Sequence, residues 1–460
     1  MSGSPGPAIP NPARAGCFRF LNCSYDVQSG IARLSYAFDD GPELVEQITF
    51  PHAPWPPEAS RQASFRRALE ILHLVAGVSY YKAGMNRRIE VSDLRSLDGL
   101  HHFLTELYVR GLAEFGYVNK VDVEARIKFP DEQALPDPRA QPAHELILPE
   151  RALVAMGGGK DSLVGLDIMQ RAGVSVMPVC VGGSELIRRT VKEAGLPLIA
   201  IGRSLAPELS QMNLAGALNG HVPVTAINSA ILLCASILYG FRFIVFANER
   251  SADEATLVTE DGNEVNHQYS KSSDFEEGFR HVIADQVSPD IEYFSILRPC
   301  SELEIVRQFS GMKRFHEVYS SCNRNFHLDG PRLDDRWCGD CPKCRFAALS
   351  LAVFMSPEQV RAIQGVDLLD DSGQLEGFRA LCGLGRDKPF ECVGEAGESR
   401  AALAALASMD PWKEHAVVTA LLPDLQAVSV PDLDSLLQPA GRHFIPQAIL
   451  SASDLLSRAD

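Results

Sequence analysis

Two groups of residues in this sequence have types and spacings that can do chemistry. The first is Gly157-Gly158-Gly159-Lys160-Asp161-Ser162, directly after the apolar run Leu153-Val154-Ala155-Met156. Consecutive glycines let backbone N–H groups approach an anion closely, and a helix starting there adds unpaired donors and partial positive charge. The loop therefore suits phosphate, with Gly157, Gly158, Gly159, Asp161 and Ser162 as contacts and Lys160 as an assisting cation. It is not a Walker A loop, because Asp161 stands where Ser or Thr must follow the lysine, and no G-x-G-x-x-G spacing fits. A tight strand-to-helix turn with no ligand is the plainer alternative.

The second group is Cys322 with Cys338, Cys341 and Cys344, the last three spaced C-x-x-C-x-x-C. Four thiolates close a tetrahedral zinc site with no open position, so the expected zinc is structural. Gly339 and Pro342 fit the turns such a knuckle needs. An iron–sulfur cluster is the rival, since the spacing overlaps a ferredoxin run.

These residues must be positioned by a scaffold, and the pattern around them alternates. Leu163, Leu166 and Met169 follow the glycine loop at helical spacing; apolar runs at 176–181, 198–201, 243–246 and 293–297 are separated by helical stretches at 186–194 and 224–239. Apolar strands alternating with helices predict an α/β core with a parallel sheet covered on both faces. Ligands of such sheets sit at the carboxyl ends of the strands, so the loops after 156, 181, 201, 247 and 297 should face one another. On those loops lie Glu249, Asp253 and Glu254, which with Asp161 can supply oxygens to Mg²⁺, and Arg298, whose planar fork suits a carboxylate or phosphate. A solvated helix start explains the acidic residues equally well. The polar stretch 266–272 adds His267 as a candidate for substrate contact.

The totals bound the rest. A chain of 460 residues exceeds one core. We expect an unstructured start at 1–16, an α+β domain and linker at 17–150, a nucleotide-binding domain at 151–355 and a helical extension at 356–460. Antiparallel strands with alternating patterning before residue 50, an Asp39-Asp40-Gly41 turn and helices at 61–76 and about 92–115 fill the second region, and five prolines between 130 and 149 mark the linker. Tyr80-Tyr81-Lys82 and Arg87-Arg88 are read as a solvated, partly packed segment. A net charge of −16 disfavours broad nucleic-acid binding. Eleven cysteines, an odd number with four clustered, point to a reducing compartment, and with no signal peptide or membrane span in the pattern the expected location is the cytoplasm. Oligomeric state is left open.

The glycine loop resembles the S-G-G-x-D-S loop of the ATP-pyrophosphatase (PP-loop) superfamily, with Gly157 where Ser is usual. Loop and cysteines together resemble the 7-cyano-7-deazaguanine synthases. The whole layout, with its N-terminal domain, Asn248-Glu249-Arg250-Ser251 and C-terminal extension, resembles the UDP-N-acetyl-α-D-muramoyl-L-alanyl-L-glutamate epimerases (MurL). That resemblance implies an enzyme that uses ATP and Mg²⁺ to invert the terminal L-Glu of a UDP-linked muramoyl dipeptide through an acyl-adenylate, releasing AMP and diphosphate. Lys160, Asp161, Ser162, His267 and Arg298 would then be the catalytic candidates, and Glu249 and Asp253 would join the cofactor-binding set.

The sequence does not single out the proton-transferring base. His221, His267, His316 and His327 titrate in the right range, and Cys180, Cys300 and Cys392 are further thiols. The glycine-rich loop 383–395 is read as a connection that can also close over a site. Rivals are an amidoligase of the deazaguanine-synthase type, a tRNA-modifying enzyme and a non-catalytic zinc and nucleotide module.

Overall fold

The computed structural model describes residues 11–130, 143–255, 257–258, 264–325, 336–385, 391, 393–453 and 455. His327, Cys392 and most of the expected linker lie outside these residues, as do 1–10 and 386–390. The strands are β1 Cys17–Asp26, β2 Ile31–Phe38, β3 Leu44–Thr49, β4 Arg88–Val91, β5 Arg151–Ala155, β6 Ser175–Val181, β7 Ile199–Ser204, β8 Phe243–Phe246, β9 Leu257–Val258, β10 Glu264–Val265 and β11 Glu292–Ser295. With the helices between them they make a mixed α/β chain. It divides into two compact units, one of residues 1–153, 199–244 and 268–293, the other of 154–198, 245–267 and 294–460.

In the first unit the strand order is β7-β3-β2-β1-β4. β1, β2 and β3 form an antiparallel meander, with Phe18 opposite Phe38, while β4 runs parallel to β1. The turn at Asp39-Asp40-Gly41 closes the meander, Gly41 N–H donating to the Phe38 carbonyl at 3.0 Å. The antiparallel strands expected before residue 50 are present, whereas β7, expected in a parallel sheet, pairs antiparallel to β3. Phe18 stacks on Tyr36 and meets Phe38 at a tilt and Tyr81 edge-on, Phe20 meets His73 edge-on, and the helix Ala59–Ala76 lies against the apolar helix Val224–Tyr239. Tyr80, Tyr81 and Lys82 are buried in this core, which corrects the solvated reading of that segment; Arg87 and Arg88 are exposed. The expected helix over 92–115 begins only after Gly99, whose φ of +69° and missing side chain make room for Gln286, and is divided at Leu112 into His101–Gly111 and Ala113–Asn119.

The second unit holds β6 with the carboxyl ends of β5, β8 and β11, in the order β11-β8-β5-β6. The helix Lys160–Arg171 follows β5 and crosses close to β8 and β11, since a Cβ at Gly165 would meet Ile296 at 3.0 Å and Ala247 at 3.2 Å. The C-terminal part is helical as expected, with Ala396–Ala407 and Ala416–Leu425 among its helices. The second of these starts at Ala416 rather than at residue 412, and the buried Trp412 before it donates its indole N–H to the Met355 carbonyl at 3.2 Å. Among the described residues no helix is long and apolar enough to cross a membrane.

Candidate active site

The second unit alone carries the glycine loop, the acidic loop after β8, Arg298 and the cysteines. Gly158 has φ +79°, a left-handed value an L side chain rarely takes, and a Cβ there would lie 3.2 Å from Ile187. Gly159 then caps the helix Lys160–Arg171, and Ser162 Oγ donates to the Gly159 carbonyl at 3.0 Å. The loop thus leads straight into a helix N-terminus, where amides without intrahelical partners can donate to an anion.

Lys160 is buried and lies between two carboxylates, Asp161 at 2.5 Å and Glu302 in closer contact. Burial alone would loosen the lysine proton, but Asp161 and Glu302 more than offset that and hold it charged. Glu302 is itself buried at the start of the helix Glu302–Ser310, capped by Ser301. Burial, with repulsion from Asp161, Glu249 and Glu398, pushes its carboxyl up, and the touching Lys160 ammonium pulls the other way and keeps the pair ionised. Asp161 is one-third exposed.

Arg298 is 1% exposed; its Nη1 donates to the Glu249 carbonyl at 3.0 Å and lies 3.9 Å from Asp253 Oδ1. It therefore fastens the acidic loop to the end of β11. Glu249 is buried and Asp253 is exposed, so the loop offers one inward and one outward carboxylate. Of the five segments expected to face one another, those after β5, β6, β8 and β11 meet within this unit, through Gly158 with Ile187, Lys160 with Glu302 and Arg298 with Glu249, while the segment after β7 belongs to the first unit. His267, half-buried, follows β10 on a separate stretch. His221 belongs to the first unit, 3.6 Å from Glu114. The His316 ring bonds to the Phe309 carbonyl, and burial pushes Cys300 up to about 12 and Cys180 upward too, so both thiols stay protonated.

The four cysteine sulfurs lie within 4.8 Å of one another, with contacts of 3.4, 3.7 and 3.9 Å. A tetrahedron around zinc with bonds near 2.3 Å has edges of about 3.8 Å, so the donor set can hold one such ion. Cys341 caps the helix Pro342–Ala352 and accepts from the Cys344 amide at 3.4 Å, a position that favours a thiolate. Ser321, beside Cys322, comes within 3.5 Å of where a Cβ on Gly159 would be.

Sequence reasoning missed Glu302 and Glu398. Glu398 is fully buried in the first turn of Ala396–Ala407, and accepts from the Leu303 amide at 3.4 Å and the Glu395 amide at 2.8 Å. Both glutamates sit in first turns, where acids are ordinary, so spacing alone gives no signal.

The chain matches the model of the MurL N-terminal domain over residues 10–296 and that of the MurL C-terminal domain over 318–435. It is 46% identical to the UDP-N-acetyl-α-D-muramoyl-L-alanyl-L-glutamate epimerase of Xanthomonas oryzae pv. oryzae, over 94% of this chain and 95% of that protein. Epimerases of the same name from Salinispora tropica and a Micromonospora species are 39% and 40% identical over 94% of this chain, covering 94% and 96% of their own lengths. With both domains matched and relatives aligned nearly end to end, the chain belongs to the MurL family.

Proposed function

We propose that the protein inverts the terminal L-Glu of UDP-N-acetylmuramoyl-L-Ala-L-Glu to D-Glu during peptidoglycan synthesis in the cytoplasm. ATP activates the substrate carboxylate, and AMP and diphosphate are released. Near end-to-end likeness to epimerases named for that substrate carries the reading. The glycine loop supports its ATP part, since its sequence resembles the PP-loop and it opens onto a helix N-terminus, where phosphate is favoured.

The chemistry follows from charge. Removing the α-hydrogen of a free glutamate places a carbanion beside an existing carboxylate, and converting that carboxylate to a neutral mixed anhydride with AMP removes the repulsion. Gly157, Gly158, Gly159 and Ser162 would hold the phosphates, with Lys160 placed to assist. Mg²⁺ would be held by Asp161 and Asp253, whose exposed oxygens suit it, with Glu249 behind them, and would neutralise the departing diphosphate. Arg298 fixes the loop that carries two of these acids. The alanyl carbonyl oxygen can close on the activated carbon, displacing AMP as the amide gives up its proton, to give an oxazolone whose α-proton leaves easily to a base and is returned on the opposite face. His267 is the base to test first. Water then restores the carboxylate. The four cysteines would hold zinc as a brace.

Incubation with ATP, Mg²⁺ and the dipeptide substrate should yield AMP, diphosphate and D-Glu after acid hydrolysis, with deuterium at the α-carbon in deuterium oxide. Release of ADP would end the adenylation reading, and AMP release that requires ammonia would point to an amidoligase.

A further inference from the structure

We propose that Glu302 is a positioning residue for the glycine loop: it holds Lys160 in place and so leaves Asp161 available to Mg²⁺. The inference rests on the ATP reading above and names a residue that reading does not use.

Lys160 carries one positive charge and touches two carboxylates. The two are not equivalent. Glu302 is 5% exposed at its side chain and anchored in a capped helix turn, whereas Asp161 is 33% exposed at the loop's mouth. Next to Glu302, Glu398 accepts the Leu303 amide and fixes the turn from which Glu302 extends. A divalent ion competing for Asp161 must break its contact with Lys160. That loss is small if a second, buried carboxylate keeps the ammonium paired, and large if Asp161 is its only counter-charge, because an unpaired buried ammonium is costly. Glu302 therefore lets one side chain serve metal while its neighbour stays charged and aimed at the phosphates. Without it, Lys160 and Asp161 would close on each other and withdraw both from the nucleotide.

The test is a double-mutant cycle of Glu302→Gln with Lys160→Met, read as Mg²⁺ dependence and as KM and kcat for ATP. Glu302→Gln keeps the shape and removes the charge. It should raise the Mg²⁺ concentration for half-maximal AMP formation about tenfold and raise KM for ATP more than it lowers kcat. In the Lys160→Met background, Glu302→Gln should leave the Mg²⁺ midpoint unchanged. A wild-type midpoint in Glu302→Gln, or an equal shift in both backgrounds, overturns the inference. Should Glu302→Gln fold poorly, Glu302→Asp, with the charge retained, should keep the wild-type Mg²⁺ midpoint; a tenfold rise there would overturn it too. If the wild-type protein makes no AMP, the ATP reading fails instead. The same cycle read as melting temperature then decides on Lys160 and Glu302: non-additive shifts uphold their coupling and additive ones end it.

Discussion

Ser321 Oγ lies 3.5 Å from the point a Cβ on Gly159 would occupy, and Ser321 is the residue before Cys322. The cysteine site therefore backs the glycine loop at one residue's remove. Asn323, on the other side of Cys322, donates to the Glu391 carboxylate and ties the same site to the C-terminal region.

Metal removal should be felt in the loop. Chelation, or Cys341→Ser, is expected to lower stability by on the order of several kcal/mol and to weaken nucleotide binding together with it. Metal analysis beside calorimetric melting checks this; one zinc per chain is expected, and iron with visible absorbance would point to a cluster.

Gly158→Ala should cost about 1–3 kcal/mol, because an L residue at φ +79° is strained and its Cβ would press on Ile187. Urea unfolding measures the cost. Gly157→Ala, with nothing within 4 Å of the added methyl group, should fold normally.

Asp161→Asn keeps the size of a side chain that is one-third exposed, so folding and zinc content should remain. AMP formation should fall by about 10²- to 10³-fold, the usual loss when one preorganised charge is taken from a reacting phosphate.

Burial, with Glu395 adding repulsion, raises the Glu398 carboxyl from its ordinary 4.5 to about 7. The folded state thus binds that proton more tightly than the unfolded chain, and the stability this gives is present below pH 4.5 and lost as pH rises through 7. Glu398→Gln removes the titration. Its stability relative to wild type should increase by on the order of 3 kcal/mol between pH 4.5 and 7, measured by denaturant unfolding at each pH. A constant difference across that range would contradict the assignment.

The glycine loop and the cysteines were legible in the sequence because their chemistry is written in adjacent residues with fixed spacing. The loops after β5, β6, β8 and β11 could be expected to meet, since strand ends gather in an α/β core. Glu302 and Glu398 could not be found that way. Ser301-Glu302-Leu303-Glu304 has the form of any capped helix start, and Glu398 completes a capping box with Glu395. A residue obeying a local rule does not show that it also answers a distant one. The antiparallel pairing of β7 was missed for a similar reason: β7 has the apolar run of a core strand, and only its register with β3, Gln47 opposite Ser204, reveals its antiparallel partner.

The chain leaves and re-enters each unit more than once, and the first takes its last stretch from residues 268–293. During synthesis, then, the amino-terminal meander emerges from the ribosome long before the helix Ser273–Gln286 that belongs to the same unit. A nascent chain halted near residue 200 would display unfinished apolar surface, which makes a pause there a point where chaperones or proteases gain access.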